Sequence, residues 1–186
     1  MLRPRTCSRW SLAVLFGLLP VVPAAAQPTI LHSFAYGPAD GAQPYFGSLV
    51  QSGSMLFGTT GSGGSVNDGT IFRVGTDGTG FSLLHTFLGS QDGQAPVSSL
   101  IRSGSTLYGT TYWGGGYGDA NGYGTVYKIA IDGTGFGTLH RFAGGPTDGV
   151  RPNGAPLVSG STLYGMTTGG GSGNAGTICA GSLRNR

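Results

Sequence analysis

The sequence predicts an all-β protein built from tandem repeats of about 50 residues, each with four antiparallel strands, like the blade of a β-propeller. Three observations predict this class. The same phrases recur along the chain, runs of β-branched and aromatic residues alternate with Gly-rich turns, and no long stretch after residue 27 has the apolar period and end signals of a helix. The chain holds about three blade equivalents, fewer than the four to eight of most propellers.

Residues 1–26 are predicted to be a secretory signal peptide. Three Arg and no acidic residue precede an apolar stretch, SLAVLFGLLPVV, and the small residues before Gln27 provide an A-x-A cleavage site. The apolar stretch is short for a membrane span. We therefore expect a secreted protein, located in the periplasm, at the cell surface or outside the cell, with no stable membrane span after cleavage. The alternative is an uncleaved N-terminal anchor.

The repeat is defined by phrases that return in the same order. LHSF returns as LHTF and LHRF, which places His32, His85 and His140 at intervals of 53 and 55 residues. SGSMLFGTT returns as SGSTLYGTT and SGSTLYGMT, and GTIFR returns as GTVYK and, incompletely, as GTI. A fixed period of about 50 residues is typical of propeller blades.

Each complete copy carries two hairpin signals. In the middle copy, SSLIRS and TLYGTTYW flank Gly104-Ser105, and GTVYKIAI and FGTLHRF flank the turn DGTG at residues 132–135. Asp tolerates the left-handed backbone region and Gly adopts it freely, so both suit these turns. Two hairpins predict four antiparallel strands, which is the content of one blade.

The copies at the two ends of the chain are incomplete. Residues 29–35 match the fourth strand of a blade, and the last copy lacks its fourth strand, so the N-terminal strand is expected to complete the last blade and close the ring. After Ile178 the pattern of an aromatic and a basic residue gives way to Cys179 and Ala180. Residues 27–178 are therefore predicted to be the repeat domain and residues 179–186 an aberrant tail, as in a truncated propeller.

Composition and charge limit the partners. Gly accounts for 38 of 186 residues without a G-X-Y period, so the glycines belong to turns and loops rather than to collagen. After signal removal, seven basic and seven acidic side chains remain, and no basic patch is left to hold the phosphates of a nucleic acid. Cys179 is then the only cysteine, so no internal disulfide is expected.

Side chains suited to catalysis are few, and the repeat explains where they stand. The chain has no Glu, and six of its seven Asp directly precede a Gly, where turn geometry accounts for them. The three His occupy one equivalent position on the outermost strand of successive blades, where they cannot converge on one metal ion and are expected to be packed or hydrogen-bonded. The sequence therefore predicts a protein that is not an enzyme, without catalytic residues, metal site or cofactor.

The middle copy carries loop aromatics that the other copies lack. Tyr112, Trp113 and Tyr117 lie in its longer Gly-rich loop, which also contains Asp119 and Asn121. Aromatic faces with a polar edge suit sugars and protein partners. These five residues form the candidate ligand-binding site, for a polysaccharide or another surface protein. The alternative is simple packing between blade edges.

The phrases LHSF, DGAQP, LFGTT and GTIFR, with their later copies, resemble the GloVer (Gloeobacter–Verrucomicrobia) tandem-repeat family of exported bacterial proteins. The resemblance covers about residues 31–178 and implies an exported, propeller-like protein, with no catalytic residues attached to it. Members often end in a surface anchor, a pattern from which the terminal SLRNR departs. We expect a binding or scaffold module outside the cell. The alternatives are an extracellular carbohydrate-active enzyme on a propeller and a non-functional remnant of a longer repeat protein.

Overall fold

The computed structural model describes residues 28–44, 47–118 and 121–183. Within these ranges the chain forms fourteen β-strands and no helix, arranged in four antiparallel sheets. The all-β class predicted from the sequence is confirmed. In this part of the chain no helix is long and apolar enough to cross a membrane. The predicted signal peptide at residues 1–26 lies outside the described residues, as do the last three residues of the predicted tail.

In chain order the strands are β1 (Gly41–Ala42), β2 (Val50–Ser52), β3 (Met55–Thr60), β4 (Ser62–Gly63), β5 (Thr70–Gly75), β6 (Ser82–Thr86), β7 (Ile101–Ser103), β8 (Thr106–Thr111), β9 (Thr125–Ala130), β10 (Gly137–Arg141), β11 (Gly149–Pro152), β12 (Leu157–Ser159), β13 (Thr162–Gly170) and β14 (Thr177–Ser182).

The first two repeats form sheets of the same design. Sheet 1 has the order β2-β3-β5-β6 and sheet 2 the order β7-β8-β9-β10, so each contains two hairpins. In sheet 2 one hairpin turns where Ser103 pairs with Thr106, and the other turns at Asp132, whose carboxylate accepts hydrogen bonds from the Thr134 N–H (2.9 Å) and hydroxyl (2.7 Å). The predicted four-stranded content of a repeat is confirmed for these two copies.

Sheet 3 also has four strands, but their composition differs, because the described residues include β11 and no equivalent of β6 or β10. Strands β11 and β12 pair with one edge of the long strand β13, and β14 pairs with the other edge. Cys179, at the start of the predicted tail, lies within β14 and pairs with Gly165. The backbone of the repeat therefore continues through Ser182, although its side chains no longer follow the pattern.

The N-terminal segment differs from the prediction. Residues 28–35 form no strand, and they contact sheet 1 instead of completing sheet 3. The ring of His32 stacks on Phe81 at 3.6 Å, and Phe34 packs edge-on against Phe72. A β-strand needs a neighbouring strand that accepts and donates its backbone hydrogen bonds. Among the described residues, no strand pairs with residues 28–35. The described residues form no closed ring of blades.

The main core lies between sheets 1 and 2. Successive side chains of a strand point to opposite faces, so each sheet has a forward face, toward the next repeat, and a rear face, toward the preceding one. The forward face of sheet 1 contributes Phe57 and Ile71, and the rear face of sheet 2 contributes Leu107, Tyr127 and Ile129, all of them buried. The repeats are thus joined by apolar packing of one sheet against the next.

Candidate functional site

A His–Asp pair recurs in every repeat, at the end of the outermost strand or its equivalent. His85 Nε2 lies 2.8 Å from the carboxylate of Asp92, and the corresponding distances are 3.1 Å for His32 with Asp40 and for His140 with Asp148. Each carboxylate also accepts a backbone N–H three residues after the His, at 2.7 to 2.8 Å. The three His are therefore hydrogen-bonded, as the sequence predicts, and each pair joins the segment that carries the His to the loop that follows.

The hydrogen bonds to the carboxylates of Asp40 and Asp148 lower their pKa values. Burial raises the pKa of Asp40, but the hydrogen bonds from the Ala35 N–H, His32 and the Gly41 N–H outweigh it, and the pKa lies below its usual value. The pKa of Asp148 is lowered in the same way, against the effect of burial, by the corresponding three donors. Both carboxylates are thus held in the charged form.

The third His is more accessible than the other two. His32 and His85 stack face to face on Phe81 and Phe136, each at 3.6 Å. Among the described residues, the ring contact of His140 is the edge-on one with Phe142, at 4.7 Å, and no ring stacks face to face on it. Its side chain is 49% exposed, against 18% for His85.

The candidate binding loop of the middle repeat contacts the third repeat. Tyr112 and Trp113 pack edge to face, with ring centroids 5.0 Å apart. The guanidinium of Arg151, on β11, lies 4.1 Å from the centroid of the Trp113 ring and 6.0 Å from that of Tyr112. This distance to Trp113 is within the range of a cation–π interaction. We call these three residues the Arg151 cluster.

Backbone hydrogen bonds position the members of the Arg151 cluster. Trp113 and Gln94 exchange both backbone bonds, at 2.8 and 3.0 Å, and the Arg151 N–H donates to the Tyr123 carbonyl at 2.8 Å. Arg151 has a φ of 57°, in the left-handed region. Gln43 and Ala95 occupy the equivalent position with φ values of 60° and 52°, so this conformation belongs to the repeat and not to Arg151 alone.

An open hollow of about 370 Å³ adjoins the Arg151 cluster at the junction of the second and third repeats. It is lined by Tyr123, Val150, Arg151, Thr168, Gly169 and Asn174. The lining thus includes an Arg, a Thr, an Asn and a Tyr. The Thr168 hydroxyl donates to the Arg151 carbonyl at 3.2 Å, and the Asn174 side-chain oxygen accepts the Gly170 N–H at 3.1 Å. This combination of hydrogen-bonding groups and an apolar ring is typical of ligand sites.

The structure brings together only part of the predicted site. Tyr112 and Trp113 lie in the Arg151 cluster, and Tyr117 is exposed. None of these three aromatic residues lines the hollow itself. Asn121 is exposed, and its backbone carbonyl accepts the Gly114 N–H at 2.6 Å. Asp119 lies outside the described residues. Sequence reasoning missed Arg151, although the replacement of Gln and Ala at this repeat position by a basic residue was a usable signal.

The carboxyl of Asp68 lies near that of Asp92 at the junction of sheets 1 and 2. Burial and the negative charge of Asp92 raise the pKa of Asp68, and the Gln94 side chain lowers it in part. Asp92 is buried and accepts hydrogen bonds from His85 and the Leu88 N–H. Asp92 therefore joins the end of β6 to the loop that follows it.

Comparison with known proteins gives one family match. Residues 14–119, more than half of the chain, match the Gloeobacter/Verrucomicrobia repeat. No curated protein matches the sequence. Among solved structures, a chain of the crystal structure of a nidogen/laminin complex aligns with 17% identity and a TM-score of 0.42, over 60% of this chain and 35% of that chain. A likeness this low carries no argument about fold or function.

Proposed function

Because the chain belongs to the Gloeobacter/Verrucomicrobia repeat family, we propose that it is an exported binding module that presents the junction of its second and third repeats to a ligand outside the cell. The repeat sheets act as blades of a propeller or of part of one. The observation that carries this proposal is the guanidinium of Arg151, held against Trp113 beside a polar hollow.

The chemistry of this junction favours a polysaccharide with acidic groups. A guanidinium presents five donors in a planar fork that matches a carboxylate, and stacking on an indole ring orients that fork before the ligand arrives. Thr168 and Asn174 add polar groups suited to sugar hydroxyls, and the volume of about 370 Å³ lies in the range of small-ligand pockets. Among the described residues that line the hollow, Arg151 is the one basic side chain, which favours a single carboxylate over a chain of phosphates.

Glycan-array binding by the chain from Gln27 to Arg186, followed by titration of any polysaccharide that binds, tests the proposal. We expect Arg151→Gln and Trp113→Ala each to weaken binding at least about tenfold, which corresponds to about 1.4 kcal/mol. Gln already occupies the equivalent backbone conformation at Gln43, so Arg151→Gln should fold normally.

Arg102→Gln is the matched control, since Arg102 is an exposed Arg on β7 that lies outside the hollow. Equal affinities of the wild type, Arg151→Gln and Trp113→Ala would overturn the proposed site. Release of new reducing or unsaturated chain ends from the polysaccharide would instead favour the carbohydrate-active enzyme.

A further inference from the structure

The packing of sheet 1 on sheet 2 shows what covers each face of a repeat. On the forward face of sheet 1, Phe57 and Ile71 are buried. They join one apolar cluster with Leu100, Leu107 and Tyr127 of the second repeat. A forward face is therefore covered by the rear face of the next repeat, and a rear face by the forward face of the preceding one.

Among the described residues no other sheet covers the rear face of sheet 1. Phe72 and Val74 are buried there next to residues 28–35, but the part of the face near Leu49 is open. Leu49 is 54% exposed, whereas Leu100, its equivalent in the second repeat, is 2% exposed. The face forms an open hollow of about 290 Å³ in which Leu49, Leu56, Phe72 and Val74 take part. Residues 28–35 cover it only in part, and Ile30 of that segment projects into solvent.

The forward face of sheet 3 is uncovered as well. Ile178 is 83% exposed, whereas its equivalent Ile71 is fully buried. Leu157, Tyr164 and Met166 are exposed on the same face. Their pairing shows that they share it: Leu157 lies opposite Tyr164, and Met166 lies opposite Ile178.

The two open faces are a forward face, on sheet 3, and a rear face, on sheet 1. Inside the chain, a forward face packs on a rear face where sheet 1 meets sheet 2. The residues named above on these two faces are all uncharged, so removing them from water carries little desolvation cost. Apolar patches of this kind on an exported protein mark interaction sites. We propose that the forward face of sheet 3 packs on the rear face of sheet 1 of a second copy of this chain.

This contact is head-to-tail, and its geometry limits the assembly. Two different surfaces meet, so the contact either closes into a ring or continues as a filament. Two copies bring six repeat sheets together, a number within the usual range of four to eight propeller blades. We therefore expect a closed pair of chains. The inference concerns how copies associate and goes beyond ligand binding at the Arg151 cluster.

Light scattering coupled to size exclusion, on the chain from Gln27 to Arg186 over a range of concentrations, tests the proposal. The wild type should have the mass of two copies. Leu49→Asp and Ile178→Asp each place a charge on one open face and should each be monomeric, with self-association weakened at least about tenfold. Val66→Asp, an exposed position on neither face, is the control and should remain dimeric.

Mixing the two variants distinguishes head-to-tail contact from other modes. Leu49→Asp retains an intact sheet 3 face and Ile178→Asp an intact sheet 1 face, so an equimolar mixture should form a one-to-one pair that grows no further. Dimerisation of either variant with itself, or a wild type that stays monomeric, would overturn the proposal. Wild-type growth into larger species would overturn the two-copy ring. Ile30→Asp and Met166→Asp provide a second pair if a variant fails to give a β-type circular dichroism spectrum.

Discussion

The His–Asp pairs show how single residues hold the repeat together. In each copy one carboxylate binds the His ring and a backbone N–H. This fixes the outer strand, or residues 28–35 in the case of His32, to the loop that follows. Hydrogen bonds to a charged group contribute more than those between neutral groups, about 1.5–3 kcal/mol each. The Asp of each pair, which precedes a Gly, therefore has two roles. It forms a turn, as the sequence predicts, and it holds two segments of the chain together, which the turn signal alone does not indicate.

The lowered pKa values of Asp40 and Asp148 predict loss of stability in acid. A carboxyl whose pKa is lower in the folded state contributes stability that is present above its unfolded pKa, about 4, and is lost as the pH falls through the folded value. Asp148→Asn should lower the free energy of unfolding by about 1–2 kcal/mol near pH 7 and flatten its decline between about pH 5 and pH 2. Urea unfolding at several pH values measures both effects.

Asp68 provides a control of opposite sign. Its raised pKa means that the folded state favours the protonated carboxyl, so this group opposes the loss of stability in acid. Asp68→Asn should therefore make the acid decline steeper. If Asp148→Asn and Asp68→Asn change the pH dependence of the unfolding free energy in the same direction, the opposite pKa shifts assigned to these two carboxyls are wrong.

The hydroxyl of Tyr127 is buried in the core and has no hydrogen-bond partner among the described residues. Burial raises the pKa of Tyr127 above its usual value, so the hydroxyl stays neutral. Phe72 occupies the equivalent position in the first repeat. Tyr127→Phe should stabilise the protein by about 1 kcal/mol in urea unfolding, because a buried polar group without a partner is removed. A destabilised variant would indicate a bound water or another partner.

At the scale of elements, glycine allows the long loop of the middle repeat to fold close to its neighbours. Gly114 has a φ of 84°, and a Cβ there would collide with the backbone of Gly89 and Gly93. Gly53, at a hairpin turn, has a φ of 59° and open space around it. An Ala at Gly53 would lose stability only through the left-handed backbone. An Ala at Gly114 would also lose stability through the collision of its Cβ with neighbouring backbone atoms.

Gly53→Ala should destabilise the protein by about 1 kcal/mol, the cost of a left-handed residue with a side chain. Gly114→Ala should cost at least about 2 kcal/mol more, since backbone atoms must also move apart. Urea unfolding of both variants measures the difference. Equal losses would mean that the loop does not pack against residues 89–93.

The hairpins were predictable because their signals are local, and the contacts between repeats were not. Gly104-Ser105 and the DGTG turn at residues 132–135 specify their turns within a few residues. The strand predicted at residues 29–35 failed because a strand also needs a partner, which no local pattern guarantees. The contact of Arg151 with Trp113 joins different copies, so the loop aromatics alone pointed to only half of the Arg151 cluster.

At the scale of the whole molecule, position in the stack decides what a repeat residue does. Phe57 and Tyr164 occupy the same repeat position. Phe57 is buried at the contact between sheets 1 and 2, whereas Tyr164 lies on the open face of sheet 3. Stability should come from sheet-to-sheet packing, so the same truncation should have different effects at these two sites.

Urea unfolding of Phe57→Ala and Tyr164→Ala, at a concentration at which light scattering finds only monomers, tests this claim most directly. Trp113 is the single tryptophan after the predicted cleavage site and reports unfolding by fluorescence. We predict a loss of about 3–5 kcal/mol for Phe57→Ala, as for other buried aromatic residues, and of less than about 1 kcal/mol for Tyr164→Ala. Equal losses, or a larger loss for Tyr164→Ala, would contradict the stacking of the repeats described above.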